Sequence, residues 1–175
     1  VTDFGYDDFE NVGLLIFTIR NGSIKHPDIY PKPYCEKYLI VEEGQKLAPH
    51  YHYQKMEDII NRAGGTAVIT LWEKDENDRF SDKPITVTLD GRKVTLPAGS
   101  AVELKPGQSI TLIPGQYHEI SCKPGSGKLL LGEVSTVNDD NIDNHFLEES
   151  DRIPEIEEDV APTHLIFKDY PDYVD

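Results

Sequence analysis

The 175-residue sequence predicts an all-β protein, a sandwich or barrel of short antiparallel strands. Three observations carry that expectation. Segments rich in β-branched and aromatic residues recur at short intervals, and turn-forming glycine pairs separate them. No window holds a long apolar stripe at helical period, apart from one short helical turn read at residues 56–61.

Taken in order, the first strand is expected at residues 12–19, the longest apolar run and far shorter than the ~20 residues of a membrane span. Strands follow at 37–41 and 66–72. Residues 85–96 form a hairpin around Asp90-Gly91, because Asp-Gly supplies the positive φ values of a type I′ turn. Pro106-Gly107, Pro114-Gly115 and Pro124-Gly125 then punctuate strands at 109–113 and 128–135, and a last strand is expected at 164–167. Residues 138–160 shift to acidic and amide side chains and read as a solvated loop outside the sheets. The expected organisation is one domain over residues 1–175. Residues 1–36 give a covering segment and the first strand, 37–135 a barrel, 136–162 the acidic loop, and 163–175 the last strand and tail.

Seventeen basic against thirty-two acidic residues leave a formal charge of −15, which repels phosphate backbones and anionic membranes, so neither nucleic acid nor a membrane is an expected partner. Two cysteines, Cys35 and Cys122, are too few for a disulfide scaffold and lack C-x-x-C spacing. No basic, apolar-cored leader opens the sequence, and a cytoplasmic location is expected.

The chemistry concentrates in the segment from Gly44 to Gly64. On a strand, residues two apart project to the same side, so His50 and His52 present two imidazoles to one point while Tyr51 faces away. Glu57 has the other parity and reaches that point only through a turn or bulge between Tyr53 and Met56, which also brings Lys55 to the Glu57 side. Two neutral imidazoles and a carboxylate suit a divalent ion such as Mn, Fe, Co, Ni or Zn. The turn at Pro114-Gly115 fixes where His118 emerges and makes it the fourth candidate ligand, whereas His26, His145 and His164 lack such context. Glu133 shares its parity with Leu129 and Leu131, and a carboxylate pointing into a core demands a partner or a function.

Two paired motifs resemble those of the cupin superfamily. Gly44, five residues, His50-x-His52, four residues, Glu57, six residues and Gly64 match throughout. The second motif, Gly107 to Cys122, departs in the Gly107–Pro114 spacing and in carrying Cys122 where Asn is common. The flanks are similar to the cupin-type D-lyxose isomerases. They comprise the run from His50 to Gly65, Leu71-Trp72, Gly132-Glu133-Val134-Ser135, Asn138-Asp139-Asp140, Asp143-Asn144 and the run from Arg152 to Asp159. The resemblance implies a cupin-type double-stranded β-helix (jelly-roll barrel) with short helical or irregular flanks. It also implies one ion, Mn preferred, held by His50, His52, Glu57 and His118. Many members carry a helical N-terminal region, for which little room precedes Gly5.

The activity implied is interconversion of D-lyxose with D-xylulose and of D-mannose with D-fructose, by proton transfer through an enediol, on a monosaccharide substrate and in a homodimer. Lys55 would stabilise the developing enediolate or act as an acid, and the partner base would be among Glu133, Asp143, Glu157 and Glu158, left unranked. Tyr53, Trp72 and Phe146 are candidate sugar-stacking faces. Two other readings stand beside this one: a cupin dioxygenase using Fe or Ni, against which Lys55 and the downstream carboxylates count, and a metal-dependent sugar-binding cupin without catalysis.

Overall fold

The computed structural model describes residues 2–139, 142–148 and 160–161, and among these the chain forms twelve strands and no helix. In chain order they begin with β1 (Leu15–Arg20), β2 (Tyr34–Val41), β3 (Lys46–His52), β4 (Glu57–Gly64), β5 (Ala67–Glu73) and β6 (Ile85–Leu89). They continue with β7 (Arg92–Leu96), β8 (Ser100–Leu104), β9 (Ser109–Leu112), β10 (Gln116–Cys122), β11 (Leu129–Thr136) and β12 (Asn144–Phe146).

Seven strands form one sheet in the order β1-β2-β11-β4-β9-β6-β7, and five form the other in the order β12-β3-β10-β5-β8. All strand pairings are antiparallel. From β2 onward successive strands alternate between the sheets, apart from the β6–β7 hairpin, which is the jelly-roll form of a double-stranded β-helix. The expected all-β barrel is therefore present. Where β6 turns into β7, Asp90 has φ 46° and Gly91 φ 79°, the pair of positive values that the Asp-Gly dipeptide predicts.

The inner faces interdigitate as a dry core. Leu39, Val41, Ile59, Ile110, Leu129 and Leu131 come from the large sheet, and Leu47, Ile69, Leu71 and Ile120 from the small one. Each such side chain contributes roughly 1.5–3 kcal/mol when fully buried. Ahead of β1, Phe4 and Leu14 join this core, and bridges Thr2↔Leu14 and Val12↔Lys46 tie the opening segment down as a cover.

Three expectations need correction. Residues 56–61 are not a helical turn: β4 begins at Glu57, and along it Glu57, Ile59 and Asn61 are buried and Asp58 and Ile60 half-buried, a period of two. Residues 100–104 form a strand, β8, that the reading above omitted. The acidic stretch is not wholly a loop, since Asn144–Phe146 pairs with His50–His52 as β12. The strand expected at 164–167 lies outside the described residues. Among the described residues no helix is long and apolar enough to cross a membrane.

Candidate metal centre

One end of the barrel collects a polar cluster from both sheets. β3 and β10 are neighbours, and their register sets His50 opposite His118. Both imidazoles, with His52 two residues along β3, therefore project inward from the small sheet. The ligand atoms these three residues offer all lie within 4.8 Å of one another. From the other side, the chain leaves β3 at His52, turns through residues 53–56 and enters β4 at Glu57, as the change of parity requires. The Glu57 carboxylate reaches the histidines, with Oε1 3.0 Å from His118 Nε2 and Oε2 3.4 Å from His52 Nε2.

Each imidazole is oriented by a main-chain carbonyl. Nδ1 of His50 faces Ala48 O at 2.9 Å, that of His118 faces Gln116 O at 3.1 Å, and that of His52 faces Asp143 O at 3.3 Å. A carbonyl accepts only from Nδ1–H, so in the neutral ring this pattern leaves Nε2 as the lone pair, the arrangement usual behind a metal-binding histidine. His52 Nε2 is buried without a hydrogen-bond partner. A buried orphan acceptor is costly unless something binds it, and here it points at two further imidazoles and a carboxylate. The donor set and this orphan fit a divalent transition ion.

Behind the histidines runs a chain of buried charges. Lys55 Nζ lies 2.7 Å from Glu57 Oε2 and 2.8 Å from Glu133 Oε1, and Lys37 Nζ lies 3.2 Å from the same Glu133 oxygen. All four side chains are at most 8% exposed, so their charges survive burial only by mutual pairing. Burial alone would push both carboxyls up, yet Lys55 and His52 hold Glu57 well below its usual range, and Lys37 and Lys55 lower Glu133. Burial would likewise lower Lys55, but Glu133 and Glu57 outweigh it and keep the ammonium protonated. Burial, reinforced by His118 and His52, pushes His50 well below the usual histidine range, and burial lowers His52 too, so both rings are in the neutral, metal-competent form.

The structure thus brings together His50, His52, Glu57, His118, Lys55 and Glu133. Asp143 stands beside them in a different capacity: its carboxylate accepts the backbone N–H of Gln54 at 2.7 Å and of Lys55 at 2.9 Å, clamping the turn that carries Lys55. Glu157 and Glu158 lie outside the described residues. Of the three aromatics, Phe146 stacks on His50 with ring centroids 5.1 Å apart. Trp72 pairs in register with Tyr117, on the opposite face of the small sheet from His118, and stacks on Phe80; Tyr53 is about half exposed and bonds His145. Sequence reasoning missed Lys37. The signal was there, since Lys37 shares its inward parity with Leu39 and Val41, as Glu133 does with Leu129 and Leu131.

The fold and the cluster together define a cupin-type jelly roll with a buried histidine–carboxylate centre. Sequence comparison narrows the class: the chain belongs to the D-lyxose isomerase family, whose profile matches residues 1–170, and is a sugar isomerase. It is 47% identical over 166 residues to the D-lyxose/D-mannose isomerase of Escherichia coli O157:H7, covering 95% of this chain and 72% of that protein. It is 46% identical over 170 residues to the protein of the same name from Serratia proteamaculans, covering 97% and 74%. Among solved structures, L-ribose isomerase of Cellulomonas parahominis with L-psicose shares the fold at TM-score 0.59 and 21% identity, over 85% of this chain and 80% of that one. L-ribose isomerase of Geodermatophilus obscurus does so at TM-score 0.58 and 23% identity, over 83% and 78%.

Proposed function

We propose that the protein interconverts D-lyxose with D-xylulose, and D-mannose with D-fructose, as a manganese-dependent aldose–ketose isomerase. The observation that carries this reading is the buried juxtaposition of three inward Nε2 atoms and the Glu57 carboxylate with the Lys55–Glu133 ion pair. His50, His52, Glu57 and His118 would hold the ion; Zn, Co, Fe and Ni share its donor preferences. When bound, a divalent ion supplies Lewis-acid polarisation of the sugar's carbonyl and hydroxyl oxygens, worth several kcal/mol in the transition state.

The protein's own groups do the proton work. Glu133, kept ionised by its two lysines, is the base that takes the C2 proton of the aldose and returns it to C1 of the enediol, while the O2 hydroxyl proton passes to O1 so that carbonyl and hydroxyl exchange places. Lys55, kept protonated, donates a hydrogen bond to the oxygen on which negative charge develops, a stabilisation strengthened by the burial of its ammonium. Asp143 acts at one remove, since its main-chain carbonyl sets the His52 tautomer and its side chain holds the backbone of Lys55. Phe146 covers one face of His50 and limits water there.

The choice of sugars is supported by the family and by the names of the Escherichia and Serratia relatives. Family membership and the ion-paired Lys55 favour isomerisation over oxygen chemistry or sugar binding without turnover. Cytoplasmic location and a homodimer complete the reading. Buried thiols at Cys35 and Cys122 rather than half-cystines agree with the former. The apolar pair Phe17–Tyr38, exposed on β1 and β2, offers surface for the latter.

Purified protein stripped of metal and reloaded with Mn is expected to form D-xylulose from D-lyxose, with activity dependent on the reloading. Absence of product while one equivalent of Mn is bound would contradict the assignment.

A further inference from the structure

We infer that Lys37 is a positioning residue for proton transfer: it fixes and charge-compensates Glu133, so that Lys55 remains available to the substrate. This inference rests on the isomerase reading above. Lys37 is on β2 directly opposite Glu133 on β11, and neither side chain has anywhere to go but inward. Cys35, Lys37, Leu39 and Val41 form the buried face of β2, so an ammonium here replaces what packing alone would fill with an aliphatic residue.

Burying a lysine is costly unless partners recover the lost solvation, and a stabilising role is served better by an apolar side chain of similar size. The charge balance gives the reason for its presence. Lys55 lies between two carboxylates, Glu57 at 2.7 Å and Glu133 at 2.8 Å, and cannot fully compensate both while also donating to a sugar oxygen. Glu57 faces the histidine cluster, where an ion would compensate it. Glu133 has no such neighbour on the small sheet among the contacts described, and Lys37 at 3.2 Å supplies the second cation.

Geometry adds to charge. The closest approaches of Lys37 and Lys55 are both to Oε1 of Glu133, so the carboxylate is gripped at one corner from β2 and from the β3–β4 turn, which limits its swing before substrate arrives. A base held in one orientation transfers a proton from a near-attack arrangement, whereas one free to rotate spends part of each encounter misaligned. Held by Lys55 alone, Glu133 would follow that side chain when it moves to the sugar.

The test compares wild type, Lys37→Met and Lys37→Arg, all loaded with Mn, on D-lyxose and on D-lyxose deuterated at C2. Lys37→Met is expected to keep Mn and KM, to lose kcat by about 10- to 100-fold, and to show a larger deuterium isotope effect because C–H cleavage becomes more rate-limiting. Lys37→Arg, which keeps the cation, is expected to recover most of kcat. Wild-type kcat and isotope effect in Lys37→Met would overturn the inference. So would a loss of kcat with an unchanged isotope effect, which is the signature of a smaller folded fraction. Should Lys37→Met fail to fold, the double variant Lys37→Met/Glu133→Gln removes the uncompensated charge. Refolding of that variant supports the pairing, and continued failure makes Lys37 structural and overturns it. A wild type without turnover on either sugar counts against the isomerase reading itself, and is distinguished by that control.

Discussion

His118→Ala is expected to lose the ion and, with it, isomerisation. His118 is 1% exposed and central to the cluster, with its ring 4.2 Å from that of His50 and its Nε2 3.0 Å from Glu57. It is the candidate ligand on β10, so its removal leaves two imidazoles on one strand and a Glu57 carboxylate that has lost its contact across the cluster at Oε1. Losing even an outer-shell partner of a metal typically costs about 10- to 100-fold in affinity, and losing a ligand should cost more. The backbone around it should hold, because β10 is paired on both sides, by β3 and β5. Titration of the metal-free variant with Mn, alongside circular dichroism to confirm the β fold, checks this outcome. Wild-type affinity for Mn would remove His118 from the ligand set.

Lys55→Ala should have the opposite signature: the ion stays and turnover goes. Lys55 touches Glu57 through its ammonium, but the ligand role of that carboxylate does not need it. Loss of a positioned acid or electrostatic partner costs about 10²–10⁴-fold in rate. Stability should respond to metal. Removing one partner of a buried pair costs about 3–5 kcal/mol when the other charge is left uncompensated. Here Glu133 retains Lys37, and Glu57 is compensated only when an ion is bound. The variant is therefore expected to melt well below wild type when metal-free and to recover most of that difference with Mn. Turnover within tenfold of wild type, or Mn loss as severe as in His118→Ala, would contradict this account of Lys55.

Much of this was legible in the sequence because the side-chain period of a strand is two. His50-x-His52 had to converge, and Glu57 had to follow a turn. Asp90-Gly91 had to adopt positive φ at both positions, and does. What escaped the reading escaped for physical reasons. β4 looked helical because Ile59-Ile60 masks the alternation, although Asn61, buried and bonded to the carbonyls of Gly65 and Leu104, belongs to the same inward row as Glu57. β12 is three residues long in an acidic stretch, and its stability comes from pairing with β3 rather than from its own propensity. Asp143 drew notice as an acid, but a sequence does not say that its carboxylate is occupied by two backbone N–H groups. Lys37 was passed over because it stood at the first position of the strand assigned to 37–41, where a charge reads as a solvated end. β2 in fact begins three residues earlier, at Tyr34, which places Lys37 inside it.

Everything functional above depends on one ion being shared by residues from both sheets. Crystals of the protein soaked in Mn and measured above and below the manganese absorption edge test that directly. The account predicts a single anomalous peak bonded to Nε2 of His50, His52 and His118 and to the Glu57 carboxylate, with Lys55 within hydrogen-bond reach of that carboxylate. A peak elsewhere, or one that leaves out the nitrogen of His118, would contradict it.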